Sequence, residues 1–397
     1  MKIRPRNVSR LLVIIPTVVF LFTLFATFYL MTRSRAASEM RLKTEFKSAQ
    51  NELSDQLLDA QKEYDTLKKE DQRVRNDKLE KEIKDIQTTY KDAVTAYEKL
   101  LKLKEQTNKT AELDDRFTKI LSSLSDRDYA SASSQLTAFK TDVDKKQTEI
   151  AASFQIPANV AVNNTAPGSG YQRQNVQNEF GSYLVDVIAA DLNSARVVVD
   201  TSSDGTCTND CPVAALGDFA GRSGAFAGIN GPYFCPASYP SCAGKTNSFD
   251  TLIMNKNKVY FNSDNNIYSN VPAVIFSGNS ARYVGQSLEW GRDTGVDSVI
   301  AAQPMLLSNG NIVYGGDDET KRAGKGSRSF IGSTGSTVYI GVVYNANVAE
   351  VARVLKTMGI QNALNLDSGG STALWSNGRY LAGPGRSTPF GILLLRK

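Results

Sequence analysis

From Thr17 to Ile156 the chain contains neither glycine nor proline. Such a stretch offers a helix no internal stop, because the two residues that most often break helical backbone are both missing. All 29 glycines lie at or after Gly168, and 52 of the 87 charged side chains fall in residues 1–150, leaving 35 for the other 247. The chain is therefore a polar helical half joined to a glycine-rich half able to turn tightly. The 397 residues include no histidine, which excludes Ser-His-Asp and Cys-His nucleophile pairs, imidazole proton shuttles and any zinc site needing an imidazole ligand. Catalysis here has to draw on carboxylates, hydroxyls, Arg, Lys, Tyr, Cys or an oxygen-bound metal.

The formal net charge of +5 is unevenly placed. Residues 151–397 carry 18 Lys+Arg against 17 Asp+Glu, whereas Lys2, Arg4, Arg6 and Arg10 crowd the first ten positions. That excess flanks Leu11–Met31, a 21-residue run without a charge. As a helix it is about 31 Å long, matching a bilayer hydrocarbon core, and it exceeds the apolar core of about 7–15 residues typical of a cleavable signal peptide. Residues 11–31 are expected to be an uncleaved transmembrane anchor. Positive-inside bias makes residues 1–10 a cytoplasmic tail and everything after Met31 extracytoplasmic. With no basic patch in the C-terminal half and no nucleic-acid module, no nucleic-acid partner is expected.

Past the anchor, apolar residues recur in steps of three and four: Leu42, Phe46, Ala49, Leu53, Leu57, Ala60, Tyr64 and Leu67. The rhythm returns from Leu79 through Ile83, Ile86, Tyr90, Val94 and Tyr97 to Leu101, and again at Leu113, Phe117, Ile120 and Leu124. Residues 36–150 thus read as a coiled-coil stalk whose narrow apolar stripe needs a partner. That partner is either a second copy or the same chain folded back at Gln106–Thr110 or near Ser122–Ser134. A homo-oligomer is the favoured expectation, since two copies would share one membrane, and the stalk's expected role is to position the rest. Residues 151–170, containing PANVAVNNTAPGSG, read as a linker.

Residues 171–397 switch to β-branched and aromatic runs between Gly/Asn/Asp turns: Tyr183–Ala189, Arg196–Asp200, Leu252–Met254, Lys258–Phe261, Ala273–Phe276, Ser298–Ala301, Val338–Val343 and Gly391–Leu395. Val348–Met358 has helical spacing and Gly359 as its stop. More strands than helices, without regular βα alternation, predict an α+β head domain with a mixed β-sheet. All four cysteines, Cys207, Cys211, Cys235 and Cys242, fall in loop-like sequence. In an extracytoplasmic domain they read as two disulfides, with the local pairs Cys207–Cys211 and Cys235–Cys242 preferred among three connectivities over a four-Cys zinc site.

Three segments carry chemistry. Ala227–Phe234 ends an apolar run in Asn230-Gly231, which is either a turn or a donor–acceptor pair for a sugar hydroxyl. Lys325–Gly332 sets Arg328 after a small-residue loop, where its guanidinium is either a solvated charge or a fork for phosphate. Asn362–Leu374 brings a short strand to Asp367, then turns through Gly369, Gly370, Ser371 and Thr372. Such a turn aims backbone N–H groups and hydroxyls at an anion, with Asp367 as acid/base or hard-cation ligand, unless Asp367 merely caps its own backbone.

Taken together and in order, these segments resemble the phosphodiester glycosidase family over Tyr171–Leu395. The family's Asn-Gly-Gly-aromatic-Phe appears as Asn230-Gly231-Pro232-Tyr233-Phe234, and its Arg-Thr-x-x-Gly as Arg328-Ser329-Phe330-Ile331-Gly332. Its Asn-x-Asp-Gly-Gly-Gly-Ser appears as Asn365-Leu366-Asp367-Ser368-Gly369-Gly370-Ser371, and a closing Arg-Pro element corresponds to Arg386-Ser387. Pro232, Ser329, Ser368 and Ser387 depart from the pattern. The resemblance implies hydrolysis of a sugar-1-phosphodiester in a glycan substrate. Asp367 becomes the acid/base or metal-linked carboxylate, Arg328 and the Gly369–Thr372 turn hold the phosphate, and Asn230 holds the sugar. Gly231, Tyr233 and Arg386 are further substrate-binding candidates, and Asp250 is a candidate second carboxylate. No cofactor is required, although calcium is compatible with such a site. The departures at Pro232 and Ser368 favour the alternative of a non-catalytic glycan-binding or coiled-coil envelope assembly protein.

Overall fold

The structure, a computed structural model, describes residues 8–262, 270–293, 295–316 and 319–397, with backbone only at 8–17, Asp71 and Thr320. The chain divides into two compact units, Met1–Asp85 and Ile86–Lys397. The first holds helix α1 (Val8–Lys69) and the opening turns of α2 (Asp71–Lys104). Its seam residues Leu42, Phe46, Leu53, Leu57, Tyr64 and Leu67 are all exposed. Among the described residues no helix is long and apolar enough to cross a membrane. The expected span Leu11–Met31 begins in residues whose side chains lie outside the described set.

In the second unit the remainder of α2 packs with α3 (Ala111–Ser125) and α4 (Tyr129–Ser153). Ala96, Leu100 and Leu103 share a core with Phe117, Ile120, Leu124, Leu136, Phe139 and Val143. The expected reversal at Gln106–Thr110 is where α2 gives way to α3, and short connections force neighbouring helices to run back along one another. Asp128 caps α4 by accepting from the Ser131 N–H at 3.0 Å. In this part of the expected stalk, the apolar stripe is covered by the chain itself rather than by a second copy.

The head is built from β1 (Gly170–Asn178), β2 (Gly181–Asp191), β3 (Ala195–Thr201), helix α5 (Leu216–Ser223), β4 (Ala227–Asn230), β5 (Ile253–Met254), β6 (Tyr260–Phe261), β7 (Ala273–Ser277), β8 (Ser280–Val284), β9 (Ser298–Ala301), β10 (Met305–Ser308), β11 (Asn311–Ile312), β12 (Gly326–Thr334), β13 (Thr337–Ala346), helix α6 (Val348–Thr357), β14 (Asn362–Asn365), β15 (Leu374–Ser376), β16 (Arg379–Ala382) and β17 (Phe390–Arg396). They form three sheets, ordered β1-β2-β13-β12-β14-β10-β11, β16-β15-β4-β17-β3 and β6-β5-β9-β7-β8. The expectation of a mixed sheet is corrected: every ladder between described strands is antiparallel. β13 and β14 do run in the same direction, joined through α6, but β12 lies between them and pairs antiparallel with both.

Side-chain alternation sorts the core. Ile188, Ile331 and Ile340 face the space shared with the second and third sheets, while Val187, Phe330 and Val343 face α6. Helix α6 starts at a capping box in which Asn347 and Glu350 each accept the other's backbone N–H at 2.8 Å. It ends before Gly359, whose φ of +80° suits a residue without a Cβ. Both preferred disulfides are present, Cys207–Cys211 and Cys235–Cys242. The expected linker is tied to the edge of β1: Asn163 N–H donates to Asn175 O at 2.9 Å, and Asn175 N–H to Ala161 O at 3.0 Å.

Candidate functional site

The three chemical segments meet because their strands end at one place. Phe330 of β12 pairs with Asn365 of β14, Leu366 N–H donates to Ser329 O at 2.9 Å, and Asp367 N–H donates to Gly231 O at 3.1 Å. Asn230 fastens this junction. Its Nδ2 donates to Asp367 O (2.7 Å) and Gly231 O (3.1 Å), while its Oδ1 accepts from Ser329 Oγ (2.8 Å) and Ala373 N–H (3.1 Å). With its amide spent on four internal partners and only 1% of its surface exposed, Asn230 does not reach a sugar. It is a positioning residue for Asp367, which corrects the role expected of it. Gly231 is likewise structural, since a Cβ there would be driven into the Phe390 ring.

Asp367 leaves β14 into an almost buried position. Its Oδ1 accepts the Ser368 N–H at 2.8 Å. Burial raises its pKa to about 6, against the pull of the Ser371 hydroxyl, the Ser368 amide, Lys321 and Arg328. Gly369 then takes φ +64° and opens a single 3₁₀ turn, Gly369–Ser371. This turn aims the Gly370 N–H outward, where it donates at 2.7 Å to Oε2 of Glu105, a residue just past the end of α2. The other oxygen of that carboxylate is bonded to the Arg386 guanidinium. The corner of Gly370 and Arg386 thus holds an anion, and at present the anion is the chain's own. Thr372 turns away, its Oγ1 donating to Ser327 O at 3.3 Å.

These groups border a cavity of about 500 Å³. Tyr233, Arg328, Asp367, Ser368, Gly369, Ser371 and Arg386 line it, as do Glu98, Lys102 and Glu105 from the end of α2. The cavity size suits a small ligand or one repeat of a polymer. Arg328 is buried in β12, where its Nε donates to Ala346 O and its Nη2 to Lys321 O, both at 3.1 Å, and to Gly324 O. Tyr233 accepts from Asn365 Nδ2 at 2.9 Å, and burial beside Asp367 pushes its hydroxyl up to about 12, so it stays protonated. Asp250 is exposed and outside this lining, so it does not serve as the second carboxylate. Glu98, Lys102 and Glu105 were missed by the heptad reading. Their signal is a second stripe at i, i+4 and i+7 on the face of α2 turned from the apolar one, a pattern shared with any solvated helix face.

Among the described residues, no group of three or more Asp, Glu, Cys or His is arranged to hold a metal ion. Asp367 stands in a setting of hydroxyls, amides and cations, which does not fit the calcium considered from the sequence.

Residues 223–395 match the family model for phosphodiester glycosidase. The catalytic domain of zebrafish N-acetylglucosamine-1-phosphodiester alpha-N-acetylglucosaminidase is 17% identical, with 59% of this chain and 85% of that one covered at a TM-score of 0.44. A hypothetical protein from Synechocystis is 14% identical, with 57% of this chain covered at a TM-score of 0.45; the chain spans 62% of that structure's length. No curated protein matches. The motifs converging on Asp367 fall within the part of the chain, residues 223–395, that is similar to the phosphodiester glycosidase family.

Proposed function

We propose that the protein is a membrane-anchored, extracytoplasmic hydrolase that cleaves sugar-1-phosphodiester linkages in envelope or exported glycans. The observation that carries this reading is an almost buried carboxyl, its pKa raised to about 6, beside a glycine turn and an arginine already engaged with an anion. At neutral pH Asp367 is mostly ionised and accepts a proton from water as the water oxygen bonds to the sugar's anomeric carbon. The anomeric C–O bond breaks, and its electrons leave with the phosphate as a monoester. The Gly370 N–H and Arg386 receive that charge as the substrate phosphate exchanges with the Glu105 carboxylate. Arg328 adds positive potential, and Ser371 orients Asp367. No step is routed through a metal. Residues 11–31 supply the anchor, and the exposed seam of α1 supplies a homo-oligomeric contact.

The test is release of free sugar from a sugar-1-phosphate methyl diester by the full-length protein and by Asp367→Asn. Release by the first and its loss in the second support hydrolysis. Binding of the diester by both without release points instead to a glycan-binding protein, which the Glu105 carboxylate in the anion corner would suit.

A further inference from the structure

The corner of Gly370 and Arg386 is neutralised by Glu105, whereas the rest of the lining carries six cations against four carboxylates, Glu98, Asp144, Glu319 and Asp367. Lys102 projects from α2 into the cavity toward Arg328, with Lys321 and Lys99 also close enough to repel it. Lys99 is paired with Asp144 at 2.7 Å, and Lys325 with Glu350 at 3.1 Å. Arg328 donates its Nε and Nη2 to carbonyl oxygens, which fix its position, and its charge is met only at longer range, by Asp367 and Glu350. Among the described residues neither Lys102 nor Arg328 has a carboxylate at ion-pair distance. Holding two cations together in a half-buried cleft is unfavourable unless an anion joins them. The Lys102 ammonium already responds, its pKa lowered to about 8 by burial and then by Arg328.

One cavity therefore contains two places for negative charge, and the chain's own carboxylate fills one of them. We propose that the substrate carries a second anionic group beside the scissile phosphodiester, as a polymer with phosphodiester-joined repeats does, and that Lys102 selects it. This rests on the hydrolase reading above and adds the substrate's charge pattern to it. It also gives the helical bundle a share of the binding site, since Lys102 belongs to α2 and not to residues 223–395.

The test uses two probes with no glycosidic bond, so it reads binding apart from turnover: glycerol 1-phosphate and glycerol 1,3-bisphosphate, titrated calorimetrically into the full-length protein. The bisphosphate is expected to bind at least about tenfold more tightly, the scale of one charge-assisted contact. In Lys102→Gln that gap collapses to within about twofold, while Lys102→Arg keeps it, with thermal unfolding confirming that both variants are folded. Equal affinity for the two probes in the unaltered protein, or a gap that survives Lys102→Gln, overturns the proposal. If the gap behaves as expected but no sugar is released from any diester, the hydrolase reading fails and the two-anion site stands.

Discussion

The carboxyl group of Asp367 loses its water on folding and recovers part of that loss through Ser371, the Ser368 amide, Lys321 and Arg328. Its pKa in the folded protein, about 6, lies above the ordinary 3.8. Between about pH 4 and 6 the folded state therefore keeps a proton that the unfolded chain has released. Stability falls as pH rises through that window, and the full deficit is present above it. Two pKa units correspond to about 3 kcal/mol at most. Asp367→Asn keeps an acceptor for the Ser368 N–H and carries no charge. It should unfold at a free energy about 1–3 kcal/mol higher at pH 7, with the difference vanishing below about pH 4, as denaturant titrations at several pH values would read. The same variant should lose sugar release by roughly a hundred- to ten-thousandfold. Asn230→Ala should behave in the opposite way on stability, because it strands the Ser329 hydroxyl, the Ala373 N–H and the Asp367 carbonyl in a dry junction. A loss of about 2–4 kcal/mol is expected, together with a lower kcat. At this scale the turn that follows Asp367 was legible, because small residues after a strand limit what the backbone can do. The task of Asn230 was not, because three of its four partners, Ser329, Asp367 and Ala373, lie 99 to 143 residues away in the chain.

Helix α2 shows what periodicity can and cannot say about an element. Steps of three and four between apolar residues announce a stripe in need of cover, and in α3 the expected Phe117, Ile120 and Leu124 are covered, but in α2 the buried stripe is Ala93, Ala96, Leu100 and Leu103 rather than the expected Tyr90, Val94, Tyr97 and Leu101. The same spacing cannot specify the cover, and it is silent about the opposite face, where Glu98 accepts the Ser241 N–H at 2.9 Å and Glu105 the Gly370 N–H at 2.7 Å. Helix α6 was easier to read, since its capping box, apolar face and terminal glycine are all local. Strand order was not fully readable: β12 and β13 form a local hairpin, but β12 also pairs with β14, where Phe330 meets Asn365. The bundle's hold on the site can be tested through its own core. Phe139 is fully buried and packs at a tilt against Phe117, with ring centroids 5.5 Å apart, so Phe139→Ala should cost the bundle about 3–5 kcal/mol. Hydrogen exchange should then quicken at amides of residues 93–143. It should also quicken at Gly370, whose N–H depends on Glu105, while α6 is unchanged. Unaltered exchange at Gly370 would show that Glu105 is held without the bundle's help.

The whole molecule distributes its apolar surface unevenly between its two units, and the imbalance bears on assembly. In residues 86–397 the helical stripe and both faces of the seven-stranded sheet are packed within one chain. In residues 1–85 the seam stays open, with Phe46 72% and Leu57 66% exposed. An α-helix gains little stability from its own hydrogen bonds, and one with a bare apolar stripe relies on a second surface. A second copy of the same helix presents the matching stripe in register and offers each buried Leu or Phe about 1.5–3 kcal/mol. The full-length protein in detergent should therefore sediment as an oligomer, and residues 86–397 alone as a monomer. Phe46→Asp combined with Leu57→Asp should weaken the full-length association by at least about a hundredfold, the equivalent of burying two such side chains, without changing affinity for glycerol 1,3-bisphosphate. Sedimentation of the unaltered full-length chain at monomer mass would remove the oligomer from the proposal and leave the seam of α1 to another partner.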